Sequence, residues 1–290
     1  MAEKNGSGDL QYITPNKKHL FSFGIIADVQ YADYDAVGTR FYRSSTEKLR
    51  EAVASFKKDS VSFIINLGDL IDHDYVSFKP VLDIIGSSAI NAYHVAGNHD
   101  FSVEKRLKKR LPVLASSKAG YYSFSYDNFR FIFLNGNEIS TYISNNKTDI
   151  KEAEENLSLM KGKGEVNAVN WNGGFSRKQI DWLTGELNKA AAQNEKVFLI
   201  CHFPVFPENV HNLLNYKEVL TILENYGNII AWFNGHNHAG NYGNYNMTHF
   251  VTFKGMVETE NSNSFAVVEV YKNKIWIKGS GREKNQILAH

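Results

Sequence analysis

Residues 61–72 read VSFIINLGDLID, an apolar run that ends in a glycine and two aspartates three positions apart. Similar runs lie on either side, where residues 21–28 read FSFGIIAD and residues 93–98 read YHVAGN. Helical patterns separate the runs, over about 42–58 and 76–85. Strands that alternate with helices in this way predict an α/β fold with parallel strands.

The second half of the chain is richer in β-forming residues. Residues 121–126 and 129–134 predict a hairpin. Ser176, with Gln179 three residues on, begins a predicted helix. Further strands are expected at 197–201 and 229–233, with a helix between them over about Asn212–Tyr226. Beyond Tyr242 the predicted β segments are 249–254, 264–271 and 274–278. Between the hairpin and Ser176, residues 137–175 are polar, and we interpret them as an insertion that could cap a pocket. We expect a polar lead-in over residues 1–19 and one domain over residues 20–290.

Five of the strand-like runs end in a residue that can bind a metal ion. In α/β sheets, ligands bind at the carboxyl ends of the strands, so one shared site is expected there. Five short motifs carry these residues: Asp28-Val-Gln30, Gly68-Asp69-Leu-Ile-Asp72, Gly97-Asn98-His99-Asp100, Cys201-His202 and Gly235-His236-Asn-His238.

The donors in these motifs are imidazole, carboxylate and amide groups, which suit Mn²⁺, Fe²⁺ or Zn²⁺. They are too many for one ion. Two ions roughly 3.5–4 Å apart, bridged by one carboxylate, would use them all, and such a pair can activate water for attack on phosphorus. Each motif taken alone could be a simple turn or a helix cap. Chance is a poor explanation for five such motifs in one chain.

The motifs, in this order, resemble the calcineurin-like metallophosphoesterase superfamily. Gln30 stands where the general pattern has histidine. Together with the sequence DVQYAD at residues 28–33 and NGGFSRKQIDW at residues 172–182, it resembles the manganese-dependent ADP-ribose/CDP-alcohol diphosphatase branch. The resemblance implies a four-layer α/β (α+β) fold, in which two β-sheets pack as a sandwich flanked by helices, with a dimetal site at the strand C-terminal ends.

The resemblance also implies roles for individual residues. One metal would be held by Asp28, Gln30, Asp69 and His238, and the second by Asp69, Asn98, His202 and His236. Both would be Mn²⁺, with Fe, Zn or Mg as alternatives, and the amide oxygen of Gln30 favours Mn²⁺ or Mg²⁺. His99 would assist the leaving group while a metal-bound hydroxide attacks, and Asp100 would orient His99 and raise its pKa.

Aromatic residues beside the motifs are candidates for stacking on a nucleobase, although core packing explains them equally well. These residues are Tyr31, Phe101, Phe203 and Phe206. We assign His19, His73, His94, His211, His249 and His290 no role in the site, His73 being the closest to one because it follows Asp72. Cys201 is expected to be a core thiol that points away from the metals.

Charge and composition exclude several classes of protein. The 290 residues carry 32 Lys and Arg against 31 Asp and Glu, and this balance argues against binding nucleic acid through its phosphates. No apolar run approaches the roughly 20 residues of a membrane helix, and the N-terminal residues lack a signal peptide's apolar core. A single cysteine excludes an internal disulfide framework. We expect a cytoplasmic monomer with no nucleic-acid or membrane partner.

The sequence thus predicts a metal-dependent hydrolase of phosphoric anhydrides or esters, acting on small nucleoside diphosphates such as ADP-ribose or CDP-alcohols. One alternative keeps the chemistry and changes the substrate, to a cyclic nucleotide, a phospholipid headgroup or a phosphomonoester. A non-catalytic scaffold on the same fold is the other alternative, and the complete ligand set argues against it.

Overall fold

The computed structural model describes residues 19–114, 117, 119–143 and 147–290. The predicted lead-in lies outside the described residues except for His19, which begins the first strand. The strands are β1 (His19–Ile26), β2 (Ile64–Asn66), β3 (Ala92–His94), β4 (Tyr122–Tyr126), β5 (Phe129–Phe133), β6 (Lys196–Ile200), β7 (Ile229–Asn234), β8 (Asn241–Tyr245), β9 (Thr248–Thr252), β10 (Ser264–Tyr271), β11 (Lys274–Gly281) and β12 (Gln286–Ala289). The α-helices are α1 (Ser45–Lys58), α2 (Phe78–Gly86), α3 (Lys147–Gly162), α4 (Arg177–Ala192) and α5 (Tyr216–Leu223).

The strands form two six-stranded sheets. One has the order β12-β11-β10-β1-β2-β3 and the other the order β4-β5-β6-β7-β9-β8. Strands β1, β2 and β3 are parallel, and so are β5, β6, β7 and β9. Both sheets are therefore mixed, since antiparallel strands flank each parallel group.

The two sheets pack face to face through a core rich in phenylalanine. Phe23 of β1 meets Phe131 of β5 edge to face, with ring centroids 5.5 Å apart, and Phe131 stacks on Phe198 of β6 at 4.8 Å. Helices α1 and α2 cover the outer face of the first sheet, and α4 and α5 cover that of the second. The predicted four-layer sandwich is confirmed.

Register brings the ends of the parallel strands together. Ile26, Asn66 and His94 are paired across β1, β2 and β3, and Phe133, Ile200 and Phe233 occupy the matching positions in the second sheet. The loops that carry the five motifs therefore leave both sheets at the same edge.

Some elements differ from expectation. Helix α5 is shorter than the predicted stretch from Asn212 to Tyr226, because residues 203–215 form a loop beside the site. Strand β8, NYGNY, was not predicted because it is a polar edge strand without an apolar period. As predicted, Ser176 caps α4 by accepting the backbone N–H of Gln179. The Gln179 side chain does not complete a capping box, since Glu138 accepts the Ser176 N–H instead.

Candidate metal centre

One group of ligand-type atoms centres on His202, which follows β6. Its Nε2 lies 3.3 Å from Asp69 Oδ2 and 3.2 Å from Asn98 Oδ1. It also lies 3.1 Å from Nδ1 of His236, which follows β7. Asp69, His202 and His236 are all buried, and their ligand atoms lie within 4.8 Å of one another.

Hydrogen bonds behind the two histidines determine which nitrogens face inward. His202 Nδ1 donates to the Leu67 carbonyl at 2.8 Å, so its proton lies on the side away from the cluster. Asn172 donates its Nδ2 to the carbonyls of Asn167 and Val210. Its Oδ1 must therefore accept the Nε2 proton of His236, at 2.9 Å. In the neutral imidazoles both inward nitrogens carry lone pairs, the form that binds metals.

The cluster attracts positive charge. Burial lowers the pKa of His202, but the charge and hydrogen bond of Asp69, the charge of Asp28 and the bond to the Leu67 carbonyl together raise that pKa to about 9. A proton on His202 Nε2 could still form a hydrogen bond to only one of the three nearby acceptor atoms, which belong to Asp69, Asn98 and His236. Burial, followed by the repulsion from His202, holds the pKa of His236 well below its usual value. A cation among these atoms would satisfy all of them.

A second group of donors shares the Asp69 carboxylate. Gln30 donates its Nε2 to Asp69 Oδ2 at 3.1 Å, and His238 Nε2 lies 3.4 Å from Asp28 Oδ1. Nδ1 of His238 is bound to Glu258 at 2.7 Å, which turns Nε2 inward. Gln30 Oε1 is buried with no hydrogen-bond partner among the described residues. An orphaned buried oxygen is costly, and a cation beside it would remove that cost.

The backbone at these positions is strained. Asp28, Gln30, Asp69 and His236 have φ values of 48°, 43°, 53° and 67°, in the left-handed region that side chains disfavour. The turn before Asn98 is also tight, because a Cβ on Gly97 would lie 2.1 Å from Asp69 Oδ1. Strain concentrated at four of the seven predicted ligands is typical of a functional site.

His99 has a different partner from the one predicted. Its Nδ1 lies 2.6 Å from Oδ1 of Asp72, and its backbone N–H binds Asp69. Burial lowers the pKa of His99, but the charges of Asp69 and Asp72 raise it overall. His73 lies against the second oxygen of Asp72, with its Nε2 2.7 Å away. The second aspartate of the Gly68–Asp72 motif therefore orients His99.

The predicted role of Asp100 in orienting His99 is wrong. The Asp100 carboxylate accepts the backbone N–H groups of Asp69, Leu70 and Gly97 at 2.9–3.0 Å. It joins the loop after β2 to the loop after β3. Its burial, followed by the nearby charge of Asp69, raises its pKa to about 7. Asp100 is thus part of the support of the candidate centre.

A cavity of about 440 Å³ opens onto both donor groups. Three of its lining residues were not among the predicted site residues: Arg40, Trp171 and His211. His211 was assigned no role in the site, but its ring lies at the cavity wall. Arg40 Nη1 lies 3.5 Å from His99 Nε2, and the His211 ring meets the His236 ring edge to face at 5.4 Å. In the sequence, the one feature that could have pointed to Trp171 was its position directly before the Asn172-Gly-Gly segment.

The four aromatic residues predicted to contact substrate are not among the residues that line this cavity. Phe101 is buried in the core beneath α1 and α2, and Phe203 packs against the His202 and His236 rings from the protein side. For these two, the expected stacking is wrong because their rings are buried. Tyr31 and Phe206 are half-buried, Phe206 against Tyr245 and Phe250.

Cys201 lies in the core of the second sheet as expected, and burial raises the pKa of its thiol to about 12. Across the described residues, no helix combines the length and apolar character needed to cross a membrane.

Comparison with known proteins adds independent information. The family model for calcineurin-like phosphoesterases matches residues 21–240. A Xenopus laevis protein named manganese-dependent ADP-ribose/CDP-alcohol diphosphatase is 30% identical, over 97% of this chain and 94% of its own. The Homo sapiens protein of the same name is 28% identical, over 96% and 95%. A solved dimetal phosphatase from Danio rerio superposes with a TM-score of 0.85 at 27% identity, covering 94% of this chain and 99% of that one.

Proposed function

This chain belongs to the calcineurin-like phosphoesterase family, and we propose that it hydrolyses the diphosphate linkage of small nucleoside-diphosphate derivatives such as ADP-ribose and CDP-alcohols. The resemblance seen in the motifs is thereby confirmed, and the chain is a metal-dependent hydrolase. The observation that carries the proposal is the pair of donor groups that share the Asp69 carboxylate. The names of the near-full-length relatives support the substrate class.

The donors divide between two cations. Asp28, Gln30, Asp69 and His238 would hold one, and Asp69, Asn98, His202 and His236 the other. Carboxylate and amide oxygens with few imidazoles suit Mn²⁺, which agrees with the relatives' names. Two divalent cations supply activation of water and polarisation of the phosphoryl oxygens.

The chain's own residues account for the rest of the reaction. Water adds to one phosphorus and the P–O–P bond breaks, so that ADP-ribose gives AMP and ribose 5-phosphate. Asp72 holds Nδ1 of His99, which leaves Nε2 to donate a proton to the departing oxygen. Arg40 lies beside His99 and lines the same cavity, where its guanidinium can bind the second phosphate. Local charge of this kind holds a small anionic substrate in a protein of net charge +1.

The test is direct assay of the purified protein with Mn²⁺, measuring AMP from ADP-ribose and CMP from CDP-choline. A panel with a cyclic nucleotide, a phospholipid headgroup diester and 4-nitrophenyl phosphate separates the substrate classes. Turnover of another ester with none of the diphosphates would refute the substrate class and leave the metal chemistry standing. Absence of bindable metal would favour the scaffold alternative.

We also propose that residues 20–290 act as one domain and that the protein is a cytoplasmic monomer. All seven predicted ligands come from one chain, so a partner is not needed to complete the site. A single buried cysteine suits a reducing compartment. Light scattering and cell fractionation test the two statements.

A further inference from the structure

Two rings line the cavity without a part in metal binding or proton transfer. Trp171 lies in the inserted segment 137–175 and is 44% exposed. His211 lies in the loop between β6 and α5 and borders His236. A large apolar ring that is open to a polar, metal-binding cavity has no packing explanation of its own, so its use must be sought in what enters the cavity.

One buried amide links the two backbone segments that carry these rings. Asn172 directly follows Trp171 and donates to the carbonyl of Val210, which directly precedes His211. The same amide accepts the Nε2 proton of His236. Asn167 secures the segment further by donating to the Leu213 carbonyl at 2.9 Å. The insertion is therefore tied to the candidate centre at Asn172, so the adjacent Trp171 stands on a supported backbone.

The two sides of the cavity differ in chemistry. Beside His99, the Arg40 guanidinium offers charge and hydrogen-bond donors that suit a phosphate. The His211 ring meets the His236 ring, and Trp171 directly precedes Asn172, which bonds His236. Both His211 and Trp171 line the cavity with aromatic rings, and an indole carries no charge to bind a phosphate. Flat, neutral nucleobases stack on such faces whatever their identity. A diphosphate held at the centre would extend one of its ends toward this side.

We propose that Trp171, together with His211, forms the nucleobase subsite of this enzyme. The inference rests on the proposed function and deepens it, since it assigns the part of the substrate that the insertion recognises. It also explains how adenine and cytosine derivatives could both be accepted, because stacking tolerates different bases.

The experiment uses the two products of ADP-ribose hydrolysis as probes. AMP and ribose 5-phosphate are titrated calorimetrically, with Mn²⁺ present, into the wild type, Trp171→Ala and Trp171→Phe. Trp171→Ala is expected to weaken AMP binding roughly 5- to 100-fold, the usual worth of base stacking. Binding of ribose 5-phosphate should stay within about twofold, and Trp171→Phe should recover most of the AMP affinity, because a phenyl ring also stacks.

Trp276→Ala is the matched control, since Trp276 lies on β11 in the first sheet and outside the residues that line the cavity. It should bind AMP like the wild type. Equal AMP affinity in Trp171→Ala and the wild type would overturn the subsite, as would an equal loss for both probes. Unchanged AMP binding in His211→Ala would remove His211 from it.

The subsite and the proposed function can fail separately. Hydrolysis of ADP-ribose by the wild type, with unchanged AMP affinity in Trp171→Ala, would overturn the subsite alone. Trp171-dependent AMP binding without hydrolysis of any nucleoside diphosphate would support the subsite and refute the function.

Discussion

His202 Nε2 and His236 Nδ1 face each other across 3.1 Å, and the ring nitrogen behind each of them is engaged with an oxygen acceptor. Neutral imidazoles in this arrangement direct two lone pairs at one point, beside the Asp69 carboxylate. Protein residues alone stabilise that geometry poorly, whereas a divalent cation stabilises it well.

Removal of the metal should therefore destabilise the protein as well as inactivate it. A ligand present at 100 times its Kd adds about 2.7 kcal/mol to the unfolding free energy, which corresponds to a Tm change of several degrees in a chain of this size. Thermal melts before and after dialysis against EDTA measure the change, and added Mn²⁺ should restore the original Tm. An identical Tm in both states would argue against the centre.

Gln30→His should shift the metal preference from Mn²⁺ toward Zn²⁺ or Fe²⁺. The amide nitrogen of Gln30 bonds Asp69, and its amide oxygen has no hydrogen-bond partner in the part of the chain that the structure describes. Imidazole in its place supplies a nitrogen donor that suits Zn²⁺ and Fe²⁺. The measurement is elemental analysis and activity after reconstitution with each metal in turn. If the metal profile does not change, Gln30 is not a ligand.

Asp72→Asn and Asp100→Asn should have different effects. Loss of the Asp72 charge weakens the hold on His99, so we expect kcat to fall roughly 10²-fold with the metal content intact. Asp100→Asn places an amide where three backbone N–H groups require an acceptor, so metal content and stability should both fall. Elemental analysis alongside kinetics separates them. Metal loss in Asp72→Asn with normal metal content in Asp100→Asn would reverse the assigned roles.

Arg130 should stabilise the fold in a pH-dependent way. It pairs with Glu186 at 2.8 Å and Glu195 at 2.7 Å, all nearly buried. Burial alone would raise the pKa of Glu186, but its bonds from Lys189, Ser123 and Arg130 outweigh burial and lower that pKa. A depressed folded-state pKa contributes stability above the ordinary carboxyl pKa and loses it as the pH falls through the folded value.

Arg130→Met should therefore cost about 3 kcal/mol of unfolding free energy at pH 7, and the difference from the wild type should shrink as the pH falls below 4.5. Urea unfolding at several pH values measures it. The control is Lys79→Met, which removes an exposed pair with Asp83 and should change stability by less than about 0.5 kcal/mol. If the stability lost in Arg130→Met became larger as the pH fell, the result would contradict this account of the ion pairs.

The framework of the centre could be predicted from the sequence because strands and motifs are local signals. Asp28, Asp69 and Asn98 each follow an apolar run, and parallel register brings such ends to one edge. The partner of His99 could not be predicted in the same way. On the 3₁₀ turn His99–Phe101 successive side chains point about 120° apart, so the neighbouring Asp100 faces the loops while Asp72 reaches the ring.

The residues that line the rest of the cavity wall could not be predicted from the sequence either. Trp171 and His211 come from separate loops that no periodic pattern marks, and the amides of Asn172 and Asn167 link the two loops by bonds to backbone carbonyls. Phe101 and Phe203 were candidates for the wall because they adjoin motif residues, with core packing as an equally good explanation. Both rings are instead buried in the hydrophobic layers between the sheets and their helices. Burying a phenyl ring is favourable, so its position beside a motif residue in the sequence does not bring it to the cavity.

The decisive measurement is the release of AMP from ADP-ribose by the purified protein in Mn²⁺, with Asp69→Asn as the control that disrupts both donor groups. We predict stoichiometric AMP and ribose 5-phosphate from the wild type, loss of activity with EDTA, and none above background from Asp69→Asn. Hydrolysis of ADP-ribose that persists in Asp69→Asn, or a metal-loaded wild type that cleaves no nucleoside-diphosphate derivative, would contradict the account.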